Sequence, residues 1–490
     1  MSDLVYRFVQ SLTLREKAYF RRYAQLYSNS KEKNYLKIYN ILEQQDEYDE
    51  SALREALKEE PFVKYLSSEK HYLLEQILNS LINFHANTSI NRKLQKLILY
   101  INILSEKGFK KKANKTLRQA KTLALKHEEF TVVLQLIQME EEILFSHGIL
   151  DYVQQLENLK KEREAINKKI QELNELRLLK AQARELQYEF LPHVSQIVHH
   201  PNIFSNPLLH SIDKIKSLKG KEVWYYTNSI IYYLVRDYEK SLESHIEYLD
   251  FYEKNEFLFQ KNQKLPILSN YIYLAAKTKN SDHFFLGLNK LEQLLGEKDI
   301  DSAYIYYIKY ARILEYYHKT KDHQATANVL PEIASYIEDN TDKFGKTEID
   351  HVICQLIRAG IETKQFTDAQ QWINLWYNTV DIEVSLNLVK LYSIIVYYEL
   401  DYINLLEHEV SSTYKTLRNR RRLKKLERSF LRFCRKIVKD DSSSKRIKAL
   451  QILHNDLLEI KKDPLQNVNF EDFDFIQWTN DKIQSIKVNG

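Results

Sequence analysis

Six cations recur at steps of four and three in the C-terminal part of this sequence: Arg421, Lys425, Arg428, Arg432, Arg435 and Lys439. On a helix that spacing makes one row, and such a row attracts phosphates or carboxylates. A second row, Leu423, Leu426, Phe430, Phe433 and Ile437, repeats at three and four. The two rows are offset by two residues, about 200° around a helix, so they occupy opposite faces. A helix over 418–439 that buries its apolar row would display the cations along about 27 Å. Residues 411–440 hold twelve Lys and Arg against Glu427 and Asp440, a net +10 in a chain whose total is +5. The rest of the chain is therefore acidic on balance. The plain alternative is a solvated helix face with an excess of Arg. Five of the twelve are Lys, and no aromatic interleaves the row, so base-specific reading of nucleic acid is not indicated.

Other chemistry-bearing spacings are sparse. The sequence contains no HExxH, GxSxG or CxxC pattern. Its closest glycines, Gly287 and Gly296, stand nine residues apart, which excludes a Gly-rich phosphate loop. His199-His200 precedes Pro201 and reads as a loop. His351 and Cys354 lie one helical turn apart but lack two further ligands nearby, so they read as helix packing rather than a metal pair. Glu140, Glu141 and Glu142 read as a charged helix face. The expectation is a non-enzymatic protein with no catalytic residue, no metal and no cofactor. Near the end, Phe470 to Trp478 mixes acids with aromatics. Those aromatics suit a cap on an exposed helix-pair end. A sharper reading has Glu471, Asp472 and Asp474 folding back on the cation row and competing with a partner.

The elements that must carry these residues are helices. Only 8 Gly and 7 Pro occur in 490 residues, too few for the tight turns of a β-sandwich, propeller or barrel. Apolar residues recur at three and four almost throughout, as in Leu117, Ala120 and Ala124, or Ile349, Ile353, Leu356, Ile357 and Ile361. The fold class expected is all-α. The length exceeds one core, so two domains or an extended array is anticipated. No apolar window is long enough to span a bilayer, and the first residues lack a basic region followed by an apolar run. Two cysteines, Cys354 and Cys434, fit a reducing compartment, and a cytoplasmic location is expected.

Residues 1–88 predict a small bundle. Thr13-Leu14-Arg15-Glu16 is a capping-box pattern that opens a helix through Tyr27, followed by helices near 33–45, 49–59 and 67–87. Residues 89–191 predict longer helices near 92–107, 111–126, 128–147 and 150–190. The last is about 60 Å if unbroken, with Ile166, Ile170, Leu173 and Leu176 as a thin seam. The seam suits either a helix that overshoots its neighbour and packs on residues 1–88, or a dimer contact. Three of the seven prolines fall from Pro192 to Pro207, which marks 192–220 as a boundary. Helix pairs of about 36–46 residues then recur over 221–462, an α-solenoid signature. Residues 463–490 form the acidic and aromatic tail.

Within those pairs Arg236-Asp237-Tyr238-Glu239-Lys240-Ser241 is similar to the inter-helix turn of a tetratricopeptide (TPR) repeat. There an aromatic packs beneath the turn and a small residue three positions later lets the helices approach. Gln365-Phe366-Thr367-Asp368-Ala369 repeats the pattern, with Gly360 at the close-packing end of the preceding helix. Glu399-Leu400-Asp401-Tyr402 is a weaker echo, with Leu405 where a small residue belongs, and Lys107-Gly108-Phe109 a looser one. The likeness covers about 220–420. The proline that ends the family's second helix is absent from most units, and the spacing exceeds the family's roughly 34 residues. What the resemblance implies is a TPR-like superhelix with a ligand-receiving surface for a protein or peptide. Tyrosines gather on first helices of pairs, among them Tyr225, Tyr226, Tyr232, Tyr233, Tyr304, Tyr306, Tyr307, Tyr310, Tyr316 and Tyr317. They suit half-buried positions between helices, or contact with a partner.

The function expected is a protein-interaction scaffold or adaptor, with the basic helix over 418–439 as contact surface for an anionic partner, an acidic protein or nucleic acid. The alternative is a nucleic-acid-associated regulator that uses the same row or the N-terminal helices. A helix-turn-helix over 49–59 and 67–87 would need a longer turn than usual. Its second helix, opening Glu69-Lys70-His71-Tyr72, offers little to reach bases.

Overall fold

Seven inter-helix turns in this protein share one backbone geometry. Gly108, Glu128, Arg236, Lys279, Lys321, Lys364 and Asp401 all have φ between 51° and 79°. In each turn the amide of the next residue donates to a carbonyl five positions back. Examples are Asp237 N to Tyr232 O at 2.9 Å, Asn280 N to Ala275 O at 2.9 Å and Gln365 N to Gly360 O at 2.8 Å. This is the Schellman ending, which satisfies carbonyls a helix end leaves free. The following residue starts the next helix almost at once. Asp237, Asn280 and Asp322 each accept from the amide three residues on. So short a link reverses the chain and makes consecutive helices antiparallel neighbours.

The computed structural model describes residues 2–26, 33–145, 151–190, 203, 206–259, 263–297, 300–380, 384–420, 422–439, 443–462 and 469–489. Among them every regular element is helical, as the composition and periodicity predict. The chain divides into two compact units, Met1–Lys168 and Lys169–Gly490, and the division falls inside the long helix Tyr152–Phe190. Most of the proline-rich stretch expected to mark a boundary, 191–202 with 204 and 205, lies outside the described residues.

The first unit opens with five helices: Ser2–Ser11, Leu14–Leu26, Asn34–Gln44, Glu50–Ala56 and Leu66–Phe84. Phe20, Ile38, Tyr39, Leu42, Leu53, Leu73 and Ile77 form their core. The capping box is present: Glu16 N donates to Thr13 Oγ1 at 3.3 Å and Thr13 N to Glu16 Oε2 at 2.8 Å. Ser2–Ser11 is a helix beyond those the sequence pattern predicted, and Val5, Phe8, Val9 and the following Leu12 carry its apolar steps into this core. Three further helices follow, Ile90–Glu106, Lys110–Lys126 and Phe130–Phe145. The Lys121 ammonium binds Glu140 and Glu162, each at 2.7 Å, and ties the last of them to the long helix.

The second unit stacks helix pairs: Leu218–Leu234 with Tyr238–Lys254, Lys264–Lys277 with Ser281–Glu292, and Ser302–Thr320 with His323–Asp339. Lys346–Glu362 then pairs with Phe366–Thr379, Leu386–Glu399 with Ile403–Asn419, and Lys425–Lys439 with Ser443–Lys462. First helices also pack on the first helices that follow. Between Ser302–Thr320 and Lys346–Glu362 the register is 44 residues. Arg358 Nη2 donates to Leu314 O at 3.4 Å, His318 Nδ1 meets Glu362 at 2.6 Å, and Tyr307 meets His351 Nδ1 at 3.1 Å. The left-handed turn residues 236, 279, 321 and 364 recur at 42 or 43 residues, close to that register.

Close approach within a pair is carried by small residues, as anticipated. Ser241 and Ala369 are fully buried. A Cβ on Gly360 would stand 2.9 Å from Trp372 Cζ3 and 3.0 Å from Ala369 Cβ. In the weaker echo the expected register slips by one. The left-handed residue is Asp401, so the position equivalent to Ser241 is Leu406, buried, while Leu405 is 45% exposed. The named tyrosines are buried or half-buried between helices. Tyr306 and Tyr310 lie against Tyr336, and Tyr316 stacks on Phe284 at 4.1 Å.

Candidate functional site

The basic helix is shorter than its charge pattern suggested. The helix before it ends at Asn419, and Arg422 N donates to Leu417 O at 2.8 Å as the chain turns. Helix resumes at Lys425 and runs to Lys439. Glu427 sets this start. Its Oε2 accepts from Lys424 N at 3.0 Å, its Oε1 accepts from Asn387 Nδ2 at 2.6 Å, and the residue is fully buried. The sequence showed Glu427 only as a stray acid; its place three residues after the turn is the signal that could have fixed the boundary. Arg421 lies outside the described residues, and Lys439 is in the helix with its side chain undescribed.

The remaining members of the row are brought together as expected. Lys425, Arg428, Arg432 and Arg435 are all exposed on one face. The opposite face is closed: Leu426, Phe430, Phe433 and Ile437 are at most 2% exposed, in the core shared with the preceding pairs. Arg435 and Arg418 flank the Tyr414 ring, their guanidinium carbons 4.9 and 5.8 Å from its centroid. Arg432 reaches Asp456 at 3.2 Å, an exposed pair of small energetic weight. Between Tyr414, Arg428, Leu431, Arg432, Arg435 and Lys436 lies an open depression of about 370 Å³. Arg428, Arg432 and Arg435 of the row share this depression with Tyr414. Their helix is backed by the core, and their guanidinium groups can present parallel N–H donors to carboxylates or phosphates.

The tail lies on the other side of that helix. Asp474 accepts from Gln477 N at 3.0 Å and caps the C-terminal helix Phe475–Asn489. Phe475 and Trp478 pack on Phe430, and the Trp478 indole donates to Glu399 at 2.7 Å. Lys482 adds an ion pair to Glu399. Asp472 lies in the field of Arg358, Glu315, Lys319 and Lys277, and burial pushes its carboxyl up. The acids expected to compete for the cation row are thus held elsewhere: Asp472 among these groups and Asp474 at a cap. The Glu471 side chain is outside the described residues. The aromatics dictate this, because burying Phe473, Phe475 and Trp478 requires the apolar side of the basic helix.

The other singled-out residues are structural in their surroundings. His351 Nε2 accepts from Gln355 at 3.2 Å, so Nδ1 donates to the Tyr307 hydroxyl. Burial pushes the Cys354 thiol up to about 12. Among the described residues no group of three His, Cys, Asp or Glu is placed to hold a metal. His199 and His200 lie outside the described residues. Glu140 and Glu141 are ion-paired to Lys121 and Arg163. In the long helix Ile166, Leu173 and Leu176 are at most 5% exposed. Ile170 is half-buried, so three of the four seam residues are buried within the chain. In the N-terminal bundle Lys70 is buried against Tyr48 and Glu50, at 3.1 and 3.3 Å, which removes it from any nucleic-acid surface. Among the described residues no helix is long and apolar enough to cross a membrane. No protein-family model matches the sequence, and no curated protein matches it.

Proposed function

We propose that this chain is a non-enzymatic adaptor of the TPR-like type, and that its basic helix binds an acidic segment of a partner protein. The observation that carries the reading is the exposed set Lys425, Arg428, Arg432 and Arg435, the three arginines sharing a depression with Tyr414, on a helix whose opposite face is fully packed. Such a surface needs no rearrangement to bind, so little ordering entropy opposes association. Guanidinium groups over an aromatic ring suit Asp or Glu side chains flanked by an aromatic. The pairwise stacking supports a display role, because it holds the patch in fixed register. Two buried thiols with no disulfide support a reducing compartment, and we assign the protein to the cytoplasm.

The test is co-purification of tagged full-length protein from its native cell, with and without nuclease, followed by the R428E/R432E variant. Protein partners that survive nuclease and are lost from the variant support the adaptor. Partners lost on nuclease treatment would overturn it in favour of nucleic-acid association through the same row.

A further inference from the structure

The first unit carries a surface of another kind, on the helix Ile90–Glu106. Leu94, Ile98 and Ile101 form its core face, at most 4% exposed, and the helix packs on Lys110–Lys126 and Phe130–Phe145. The face turned away from a core is ordinarily polar. Here it carries large apolar side chains: Leu99 is 60% exposed, Tyr100 46% and Ile103 54%. Single exposed apolar residues are common, but three on adjoining turns of one face make a patch. Phe109, 62% exposed just after the Gly108 turn, adds apolar surface beyond the C-terminal end of the helix.

The charges beside the patch are ordered. Arg92, Lys96, Leu99, Ile103 and Lys107 recur at steps of four, three, four and four, so they form one line along the helix. From Arg92 to Lys107 the line is about 22 Å long. Cations stand toward both ends and aliphatic side chains in the middle. Arg92 Nη1 donates to Thr88 Oγ1 at 2.9 Å, and the Lys96 ammonium lies 5.6 Å from the Tyr100 ring centroid. Both contacts hold charge next to the patch. Over residues 90–107 four cations, Arg92, Lys93, Lys96 and Lys107, stand against one acid, Glu106.

Three kinds of occupant differ in how they meet this pattern. A second copy of the chain would bring the same cations to the contact, and like charges would oppose it. A lipid surface would press acyl chains on Gln95 and Asn102, exposed amides that border the line on one side, where they would lose their hydrogen bonds to water. Glu106, on that same side, would be repelled by anionic headgroups. A helix of another protein meets neither obstacle. Alternating steps of three and four are those of a seam between two helices. Apolar side chains of the partner would cover Leu99, Tyr100 and Ile103, and its carboxylates would meet the cations at the ends.

We propose that the outer face of Ile90–Glu106 docks an amphipathic helix of a partner protein, apolar at its centre and with Asp or Glu toward both ends. This surface is independent of the basic helix. It supplies the second contact that an adaptor needs in order to bridge two partners.

The experiment uses the full-length chain and a fluorescein-labelled synthetic peptide of about three heptads. Leu at steps of three and four forms the apolar face of the peptide, and Glu flanks that face toward both ends. A second peptide has the same composition in scrambled order. Fluorescence anisotropy should show at least a tenfold preference for the patterned peptide. L99S/I103S should abolish the preference and keep the circular dichroism spectrum of the wild type, because both side chains are exposed. R92E/K96E should weaken the patterned peptide tenfold or more. R428E/R432E should leave the preference intact, which separates this face from the basic helix. Equal affinity for the two peptides, or a preference that survives in L99S/I103S, would overturn the proposal. Sedimentation with phosphatidylserine vesicles that L99S/I103S abolishes would overturn it in favour of a membrane. Self-association that the same variant abolishes would overturn it in favour of a second copy.

Discussion

Trp478 stacks on Phe430, ring centroids 6.0 Å apart and planes 26° from parallel. The C-terminal helix is thereby fixed to the apolar side of the basic helix, whose cations face the other way. This contact makes the tail part of the core rather than a rival for the anion surface. Trp478→Ala is expected to cost about 3–5 kcal/mol, as for a large buried aromatic removed from a packed site. Urea unfolding followed by circular dichroism measures it. Anion affinity per folded molecule should not rise in this variant; a rise would mean that the tail competes after all.

Left-handed turns built from charged residues offer a second test. Lys364 has φ 61° and is exposed, so its side chain contributes little there while its Cβ strains the backbone. Lys364→Gly is predicted to stabilise the protein by roughly 1 kcal/mol. Gly360, four residues earlier, should respond in the opposite sense. Its substitution by Ala drives a methyl toward Trp372 and Ala369 and should cost roughly 1–3 kcal/mol. Thermal melting of the two single variants should give shifts of opposite sign.

Two buried imidazoles predict a pH dependence. His245 and His351 are held to about 4, chiefly by burial, against an ordinary value of 6.5. The unfolded chain takes up protons at these sites below about pH 6.5, whereas the folded chain does not until about pH 4. Their contribution to stability is therefore complete above 6.5 and is lost as the pH falls from 6.5 toward 4. The loss should reach about 2 kcal/mol for each histidine at pH 5. Urea midpoints at pH 7.5, 6 and 5 measure it, and His245→Gln should flatten the slope. A flat profile across that range would show that these imidazoles charge freely in the folded state.

The helices were legible because an apolar face must recur at three and four, as in Ile349, Ile353 and Ile357. The opposed rows of the basic helix were legible for the same reason. What the sequence concealed was set by contacts distant along the chain. Arg236, Lys279, Lys321 and Lys364 occupy left-handed positions where a turn is usually announced by glycine, so their common geometry had no local signal. Glu427 fixes the start of the basic helix through Asn387, forty residues away. Charge pattern alone could not decide where the acidic tail goes; burial of Phe475 and Trp478 decides it.

The central claim is that the exposed cations of Lys425–Lys439 form an anion-binding surface. Retention of the full-length protein on immobilised heparin tests it most directly. The R428E/R432E variant is compared with K111E/K115E, an equal charge change on exposed lysines of the first unit. Elution of the wild type should fall steeply with salt, R428E/R432E should lose retention, and K111E/K115E should keep it. Equal retention of wild type and R428E/R432E would contradict the account.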